Sequence, residues 1–167
     1  MSATAQVNSA STRAGTREQG RVLLVTDEPS ALHRLALEEA GFAIVGVAGS
    51  TAALVALHRA RPHVIIADAN LKGISAEELT RKLAQAQDSL PLILVGEDVA
   101  GAARREAALA MGAFDYCQLP AELSLLVARV GQLVEIRQAM DRLHALADRV
   151  YLTGLANRRR FRTALGQ

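Results

Sequence analysis

Residues 21–29 read RVLLVTDEP, and residues 63–73 read HVIIADANLKG. Each segment is a short apolar run that is followed by an acid, Asp27 in the first segment and Asp68 in the second. Runs of this length and composition are typical of buried strands in a parallel sheet. Because the carboxyl ends of parallel strands meet at one edge of a sheet, we expect Asp27 and Asp68 to lie close together there.

The rest of the chain repeats this alternation of strand and helix patterns. Five apolar runs predict strands over residues 21–26, 43–47, 63–67, 92–95 and 113–117. Segments with helical spacing lie between them, over residues 30–40, 51–60, 75–86 and 99–111, and a fifth follows Pro120. The alternation predicts an α/β fold, a doubly wound five-stranded parallel sheet of flavodoxin-like order with an extended C-terminal helix.

Composition limits the class of protein. The 167 residues are 50% hydrophobic with a net charge of +2, which allows one packed domain and an additional helix. No aromatic residues interleave with the basic cluster at residues 158–160, so we expect no nucleic-acid partner. No apolar run approaches the roughly 20 residues that span a bilayer. With one cysteine and no signal-peptide pattern, we expect a cytoplasmic protein without membrane contact.

The histidines and the cysteine give no sign of a catalytic or metal site. The four histidines lack metal-ligand spacing and fall on predicted surface helices or at a strand start; they are His33, His58, His63 and His144. We therefore expect all four to be structural. Cys117 lies in an apolar stretch, which favours a buried, inert thiol.

The two strand ends resemble the receiver domain of two-component response regulators. In that family, strand one ends V-D-D-E-P and strand three ends L-L-D-x-x-L-P-G, and the resemblance covers residues 21–126. It implies that Asp68 is the phosphoacceptor, and that Asp27, Asp68 and the backbone carbonyl of Asn70 bind Mg²⁺. It implies that Tyr116 is the aromatic residue whose rotation reports phosphorylation. A histidine kinase or phosphotransfer protein is the implied partner.

Three positions depart from the family pattern. Thr26 replaces the first acid, Gly96 replaces the switch hydroxyl, and Leu119 replaces the lysine that pairs with the phosphoryl group. Because Gly96 and Leu119 offer that group no charge or hydrogen bond, we expect slow phosphorylation or none. The loss of one acid predicts weak Mg²⁺ binding. A purely structural alternative remains, in which Asp27 caps the following helix and Asp68 is a solvated carboxylate.

The segment after the receiver-like region carries an apolar seam. Six apolar residues recur at spacings of three and four: Leu133, Ile136, Met140, Leu143, Ala147 and Val150. This spacing is typical of a coiled coil, so we predict a signalling helix over residues 127–150 and a parallel homodimer. The alternative is an amphipathic helix that folds back on its own domain.

The last residues resemble the opening of a GGDEF diguanylate cyclase domain. Residues 152–161 read LTGLANRRRF, and the 167 residues contain no G-G-[DE]-E-F tract. The predicted organisation is a disordered tail (1–20), a receiver-like domain (21–126), a coiled-coil helix (127–150) and a truncated start of a GGDEF-like domain (151–167). We expect a non-enzymatic, atypical receiver that controls the dimer geometry of a diguanylate cyclase output domain, which makes cyclic di-GMP. A stand-alone receiver-fold interaction module, binding through residues 99–117 without phosphotransfer, is the alternative.

Overall fold

The computed structural model describes residues 18–86 and 90–165, with side chains described as far as residue 156. The predicted tail therefore lies almost entirely outside the described residues. Five parallel strands form one sheet: β1 (Arg21–Val25), β2 (Ala43–Ala48), β3 (Val64–Asp68), β6 (Leu92–Gly96) and β7 (Asp115–Gln118). Their spatial order is β2-β1-β3-β6-β7, which confirms the predicted flavodoxin-like arrangement. A small antiparallel hairpin follows β3, formed by β4 (Asn70–Leu71) and β5 (Ile74–Ser75).

Five helices connect and cover the strands. They are α1 (Leu32–Glu39), α2 (Ala53–Ala60), α3 (Ala76–Ala86), α4 (Ala102–Ala110) and α5 (Leu123–Leu165). The Ser75 Oγ accepts a hydrogen bond from the Glu78 backbone N–H at 3.2 Å, so this serine caps α3. Gly112, with a φ of +97°, takes the left-handed conformation that ends α4.

The sheet buries a hydrophobic cluster on each face, because successive strand residues point to opposite sides. On one face, Leu23 and Ile65 pack with Leu57 of α2 and Leu79 of α3. On the other face, a second cluster joins the strands to α1 and to the first turns of α5; it includes Val22, Leu24, Ile66, Leu37, Leu126, Val130, Leu133 and Val134. Helices therefore cover both faces of the sheet, as the alternating pattern predicted.

The packing of α5 corrects one predicted seam residue. Leu133 is only 6% exposed and belongs to the second core cluster, so it is buried by its own domain. Gln138 is also buried, and its Nε2 donates a hydrogen bond of 2.6 Å to the Glu18 carbonyl oxygen. The helix continues through Gly131 without a break. The domain thus covers α5 as far as Gln138, beyond the boundary predicted at residue 126.

Candidate functional site

The two predicted acids lie at the same edge of the sheet. Strands β1 and β3 are hydrogen-bonded neighbours, with Val25 opposite Ala67, so the residues that follow them are adjacent. The Thr26 hydroxyl donates a hydrogen bond of 2.6 Å to Asp68 Oδ2. Asp27 Oδ2 accepts a hydrogen bond of 3.0 Å from the Lys72 backbone N–H.

The alternative role that we considered for Asp27, as a helix cap, is wrong. The N-cap position of α1 is Ala31, and α1 has no side-chain cap hydrogen bond. Asp27 instead accepts from Lys72, in the loop between β4 and β5. Its carboxylate therefore tethers the segment that follows Asp68, and it stays at the acidic edge of the sheet.

The environment of Asp68 disfavours the charged carboxylate. Burial raises the Asp68 pKa above its ordinary value of 3.8, and the hydrogen bond from Thr26 is the largest opposing effect. Nearby His33 also lowers this pKa, whereas Glu28 and Asp27 raise it. The partly buried Asp68 carboxylate is thus hydrogen-bonded to the neutral Thr26 hydroxyl.

A groove of about 490 Å³ opens beside Asp68. Gly96 and Leu119 line the groove together with Asp68. Among the described residues that line it, none is lysine or arginine, and His33 is the only basic residue. The groove can therefore admit a phosphoryl group, but it offers no permanent cation to neutralise the group's charge.

His33 is the site residue that the sequence analysis missed. It is only 5% exposed, and its Nε2 is buried without a hydrogen-bond partner among the described residues. Burial lowers the His33 pKa, and the nearby Asp68 carboxylate opposes this effect. The spacing of four residues between His33 and buried Leu37 was the available signal, because it places both on one face of α1.

Tyr116 is buried next to Gly96. Its ring is fully buried, and its hydroxyl donates a hydrogen bond of 2.9 Å to the Asp98 carbonyl oxygen. The Arg104 guanidinium lies over the ring, with Cζ 4.7 Å from the ring centroid.

Gly96 makes room for this position of Tyr116. A Cβ atom at residue 96 would lie 2.8 Å from the Tyr116 hydroxyl oxygen and 3.4 Å from ring atom Cε2. A serine or threonine side chain at residue 96 could not share this space with the ring as it stands. The lack of a side chain at residue 96 therefore allows the buried position of Tyr116.

Leu119 joins the hydrophobic core. It is partly buried and packs against the second core cluster, and the peptide bond that links it to Pro120 is cis. Because a leucine side chain has no polar atom, Leu119 offers the groove neither a charge nor a hydrogen bond. Of the three predicted switch positions, Gly96 and Leu119 thus offer the groove no polar side-chain atom, and the Tyr116 hydroxyl is engaged with Asp98.

The sequence and the fold agree with a known family. Residues 22–131 match the response regulator receiver domain family. The chain belongs to this family.

Solved receiver structures show the same fold. The chemotaxis protein CheY4 of Vibrio cholerae is 21% identical with a TM-score of 0.59, covering 70% of this chain and 99% of that one. A LuxR-family two-component response regulator from Aurantimonas is 21% identical with a TM-score of 0.62, covering 75% and 99%. The receiver domain of a Syntrophus aciditrophicus signal transduction histidine kinase is 28% identical with a TM-score of 0.57, covering 70% and 90%. No curated protein sequence matches the chain significantly.

The magnesium ligands implied by membership of the receiver family are only partly present. Asp27, Asp68 and the Asn70 carbonyl are the groups that would hold the ion. Thr26 removes one carboxylate from this set, and its hydroxyl already engages Asp68 Oδ2. Within the part of the chain that the structure describes, no group of three or more His, Cys, Asp or Glu side chains is placed to hold a metal ion. The donor set therefore fits a weak Mg²⁺ site in which water would supply most of the ligands.

The structure also bears on the membrane expectation. Among the described residues, no helix has the length and apolar character needed to cross a membrane.

Proposed function

We propose that this chain is an atypical receiver domain that is phosphorylated poorly or not at all, and that it controls the dimer geometry of a diguanylate cyclase output domain. The proposal has two parts. The first concerns the groove beside Asp68, and the second concerns the exposed part of α5.

The packing of Tyr116 against Gly96 is the observation that carries the first part. A receiver that reports phosphorylation needs an aromatic side chain that is free to move and a hydroxyl that follows the phosphoryl group. Here a buried ring, a hydrogen bond to Asp98 and the Arg104 guanidinium hold the aromatic side chain in place without any phosphoryl group. The coupling free energy between two allosteric sites is typically about 1–3 kcal/mol. Phosphorylation would gain little of this energy from Tyr116, because Tyr116 already has its buried position without a phosphoryl group.

The chemistry of the groove supports the same conclusion. Asp68 could attack the phosphorus of a small phosphodonor, forming an acyl phosphate while the donor's leaving group departs. Charge on the phosphoryl oxygens must then be stabilised by cations or donors. Leu119 supplies neither, so we expect the transfer to be slow.

The exposed length of α5 supports the second part. The predicted seam after Leu133 consists of residues that the receiver leaves exposed; Ile136, Met140, Leu143 and Val150 are 57%, 39%, 64% and 65% exposed. The seam leads directly into the GGDEF-like residues 152–161. A parallel dimer through this helix would bring two output domains side by side, as a cyclase with one nucleotide in each of two facing sites requires.

Exposure to acetyl phosphate, followed by intact-mass analysis, tests the first part. Wild type should gain one phosphoryl group slowly and in a small fraction of molecules. The Leu119→Lys variant should react at least about tenfold faster, because a charge-assisted hydrogen bond is worth roughly 1.5–3 kcal/mol. Asp68→Asn is the matched control and should gain nothing. Rapid, stoichiometric modification of wild type that is lost in Asp68→Asn would contradict the proposal.

The gene sequence tests the link to an output domain. An in-frame G-G-[DE]-E-F tract downstream of the codon for Gln167 supports it, and a stop codon immediately after that codon contradicts it.

An interaction module that works without phosphotransfer is the second candidate. It is favoured by three exposed apolar residues on and beside α4: Val99, Leu109 and Phe114 are 75%, 57% and 45% exposed. Under this alternative, Phe114→Ser would abolish partner capture and Asp68→Asn would leave it unchanged.

A further inference from the structure

A second polar groove lies at the opposite end of the sheet from Asp68. Its volume is about 460 Å³, and it is lined by residues from β1, from α2 and the loop that follows it, and from α5. Of the described residues that line it, three are arginines, two are histidines and one is a carboxylate: Arg21, Arg61, Arg137, His58, His63 and Asp141. None of these residues contributes to the groove beside Asp68.

His63 is the buried histidine among the residues that line this groove. It is only 1% exposed, and its Nδ1 accepts a hydrogen bond of 2.9 Å from the Arg21 backbone N–H. A neutral imidazole that accepts at Nδ1 must carry its proton on Nε2. That Nε2 is buried and has no hydrogen-bond partner among the described residues. A buried N–H without an acceptor destabilises the fold, so a ligand that accepts from it would be favoured.

His63 is expected to be neutral, and its N–H is therefore a donor without a full charge. Burial lowers the His63 pKa, and Arg21 and Arg137 lower it further, whereas Asp141 opposes them. The arginines carry the groove's permanent positive charge.

Arg61 is the lining arginine whose charge is not balanced by an ion pair among the described residues. Arg21 pairs with Glu18, and Arg137 pairs with Asp141 at 3.4 Å. The Arg61 side chain is exposed and has no ion-pair partner among the described residues. Its backbone is left-handed, with a φ of 45°, and its carbonyl oxygen accepts a hydrogen bond of 2.9 Å from Arg21 Nε. The hydrogen bond from Arg21 therefore holds the backbone of Arg61 beside the groove.

We propose that this groove is an anion-binding site for a phosphate-bearing small molecule. The His63 Nε2–H and the Arg61 guanidinium donate to the oxygens of one phosphate group. A phosphate has several outward oxygens and so can accept from converging donors, and the planar guanidinium fork matches two of them. Because Arg137 on α5 also lines the groove, the ligand would lie beside both the sheet and the C-terminal helix.

Titration with pyrophosphate and with inorganic phosphate at constant ionic strength tests this site, with ¹H–¹⁵N NMR as the readout. Pyrophosphate should bind the full chain saturably and shift the His63 imidazole and Arg61 amide signals. Arg61→Gln should weaken binding about tenfold or more, as expected for the loss of a charged hydrogen bond. Arg59→Gln is the matched control, because Arg59 is an exposed arginine on α2 that lines a different groove.

The remaining measurements distinguish specific binding from general charge attraction and from binding in the groove beside Asp68. Asp68→Asn should bind pyrophosphate as wild type does. The proposal is overturned if wild type shows no saturable binding, if both arginine variants lose affinity equally, or if Asp68→Asn removes the signal. If inorganic phosphate binds as tightly as pyrophosphate, the free ion is the ligand; tighter pyrophosphate binding points to a diphosphate-bearing molecule.

Discussion

The two parts of α5 have the same apolar spacing and opposite surroundings. Leu133 lies in the receiver body, the packed region that ends at Gln138, and is 6% exposed. Leu143 follows at the same seam spacing and is 64% exposed. An apolar seam therefore predicts that a helix face is covered, but it does not tell whether the same domain or a second molecule covers it. Substitutions in the body should change the stability of the fold, whereas substitutions in the exposed helix should change association.

Truncation of Leu126 should give the largest effect. Leu126 is fully buried in the second core cluster, so Leu126→Ala should lower the free energy of unfolding by about 2–5 kcal/mol. Leu143→Ala is the matched control and should change it by no more than about 0.5 kcal/mol. Urea unfolding at low protein concentration measures both. Equal losses in the two variants would show that the exposed helix packs on the receiver body.

A methyl group at residue 96 should give the next largest effect. Gly96→Ala places a Cβ atom 2.8 Å from the Tyr116 hydroxyl oxygen, so it should cost about 1–3 kcal/mol of stability. In a Tyr116→Phe background that oxygen is absent, and the cost of Gly96→Ala should fall markedly. A double-mutant cycle by urea unfolding measures the difference. An unchanged cost in the phenylalanine background would show that the packing of Gly96 against Tyr116 is not the constraint we infer.

The sheet order and the acidic edge were predictable because they follow from short-range patterns. Apolar runs, turn residues and a regular alternation fix a doubly wound sheet, and the sheet then brings Asp27 and Asp68 together. Receiver membership has now been confirmed, whereas the roles of Asp27, Asp68 and Asn70 in phosphorylation and metal binding stay predictions.

The burial of His33, His63 and Leu133 was not predictable in the same way. Each depends on which distant element covers the residue. The spacing of four residues places His33 on the same face of α1 as Leu37, but it does not show what covers that face. The sequence shows that Gly96 lacks the hydroxyl that the family has at this position. That Gly96 leaves space for Tyr116 depends on where the Tyr116 ring lies. Contacts between residues far apart in sequence set these features.

Removal of the Asp68 charge should give a smaller, pH-dependent effect. The folded protein raises the Asp68 pKa above 3.8, so wild type loses stability as the pH rises through that raised value. Asp68→Asn can still accept from Thr26 and carries no charge, so it should be more stable than wild type near neutral pH. The difference should shrink as the pH falls toward 3.8, where wild type becomes protonated. Thermal unfolding in the absence of divalent cations measures it. A variant less stable than wild type at neutral pH would show that the ionised carboxylate is well stabilised.

Charges placed in the exposed seam should have the smallest effect on the stability of the receiver body and the clearest effect on association. Ile136 and Leu143 are 57% and 64% exposed, so Ile136→Asp with Leu143→Asp should leave urea unfolding of the dilute protein almost unchanged. The same change should abolish a parallel dimer, because each buried Leu or Ile contributes roughly 1.5–3 kcal/mol and buried charges oppose association. Sedimentation at high concentration is the measurement.

The matched control for this pair is Ala145→Asp with Leu152→Asp, which adds the same charge on the helix face away from the seam. Wild type and this control should both sediment as dimers, whereas the seam variant should be monomeric. A monomeric wild type would contradict the dimer proposal. A seam variant with an unfolded receiver would show that Ile136 or Leu143 packs on its own domain. Loss of the dimer in both variants would assign the effect to net charge. Only selective loss in the seam variant shows that α5 has two parts, one stabilised by its own domain and the other by a second copy of the chain.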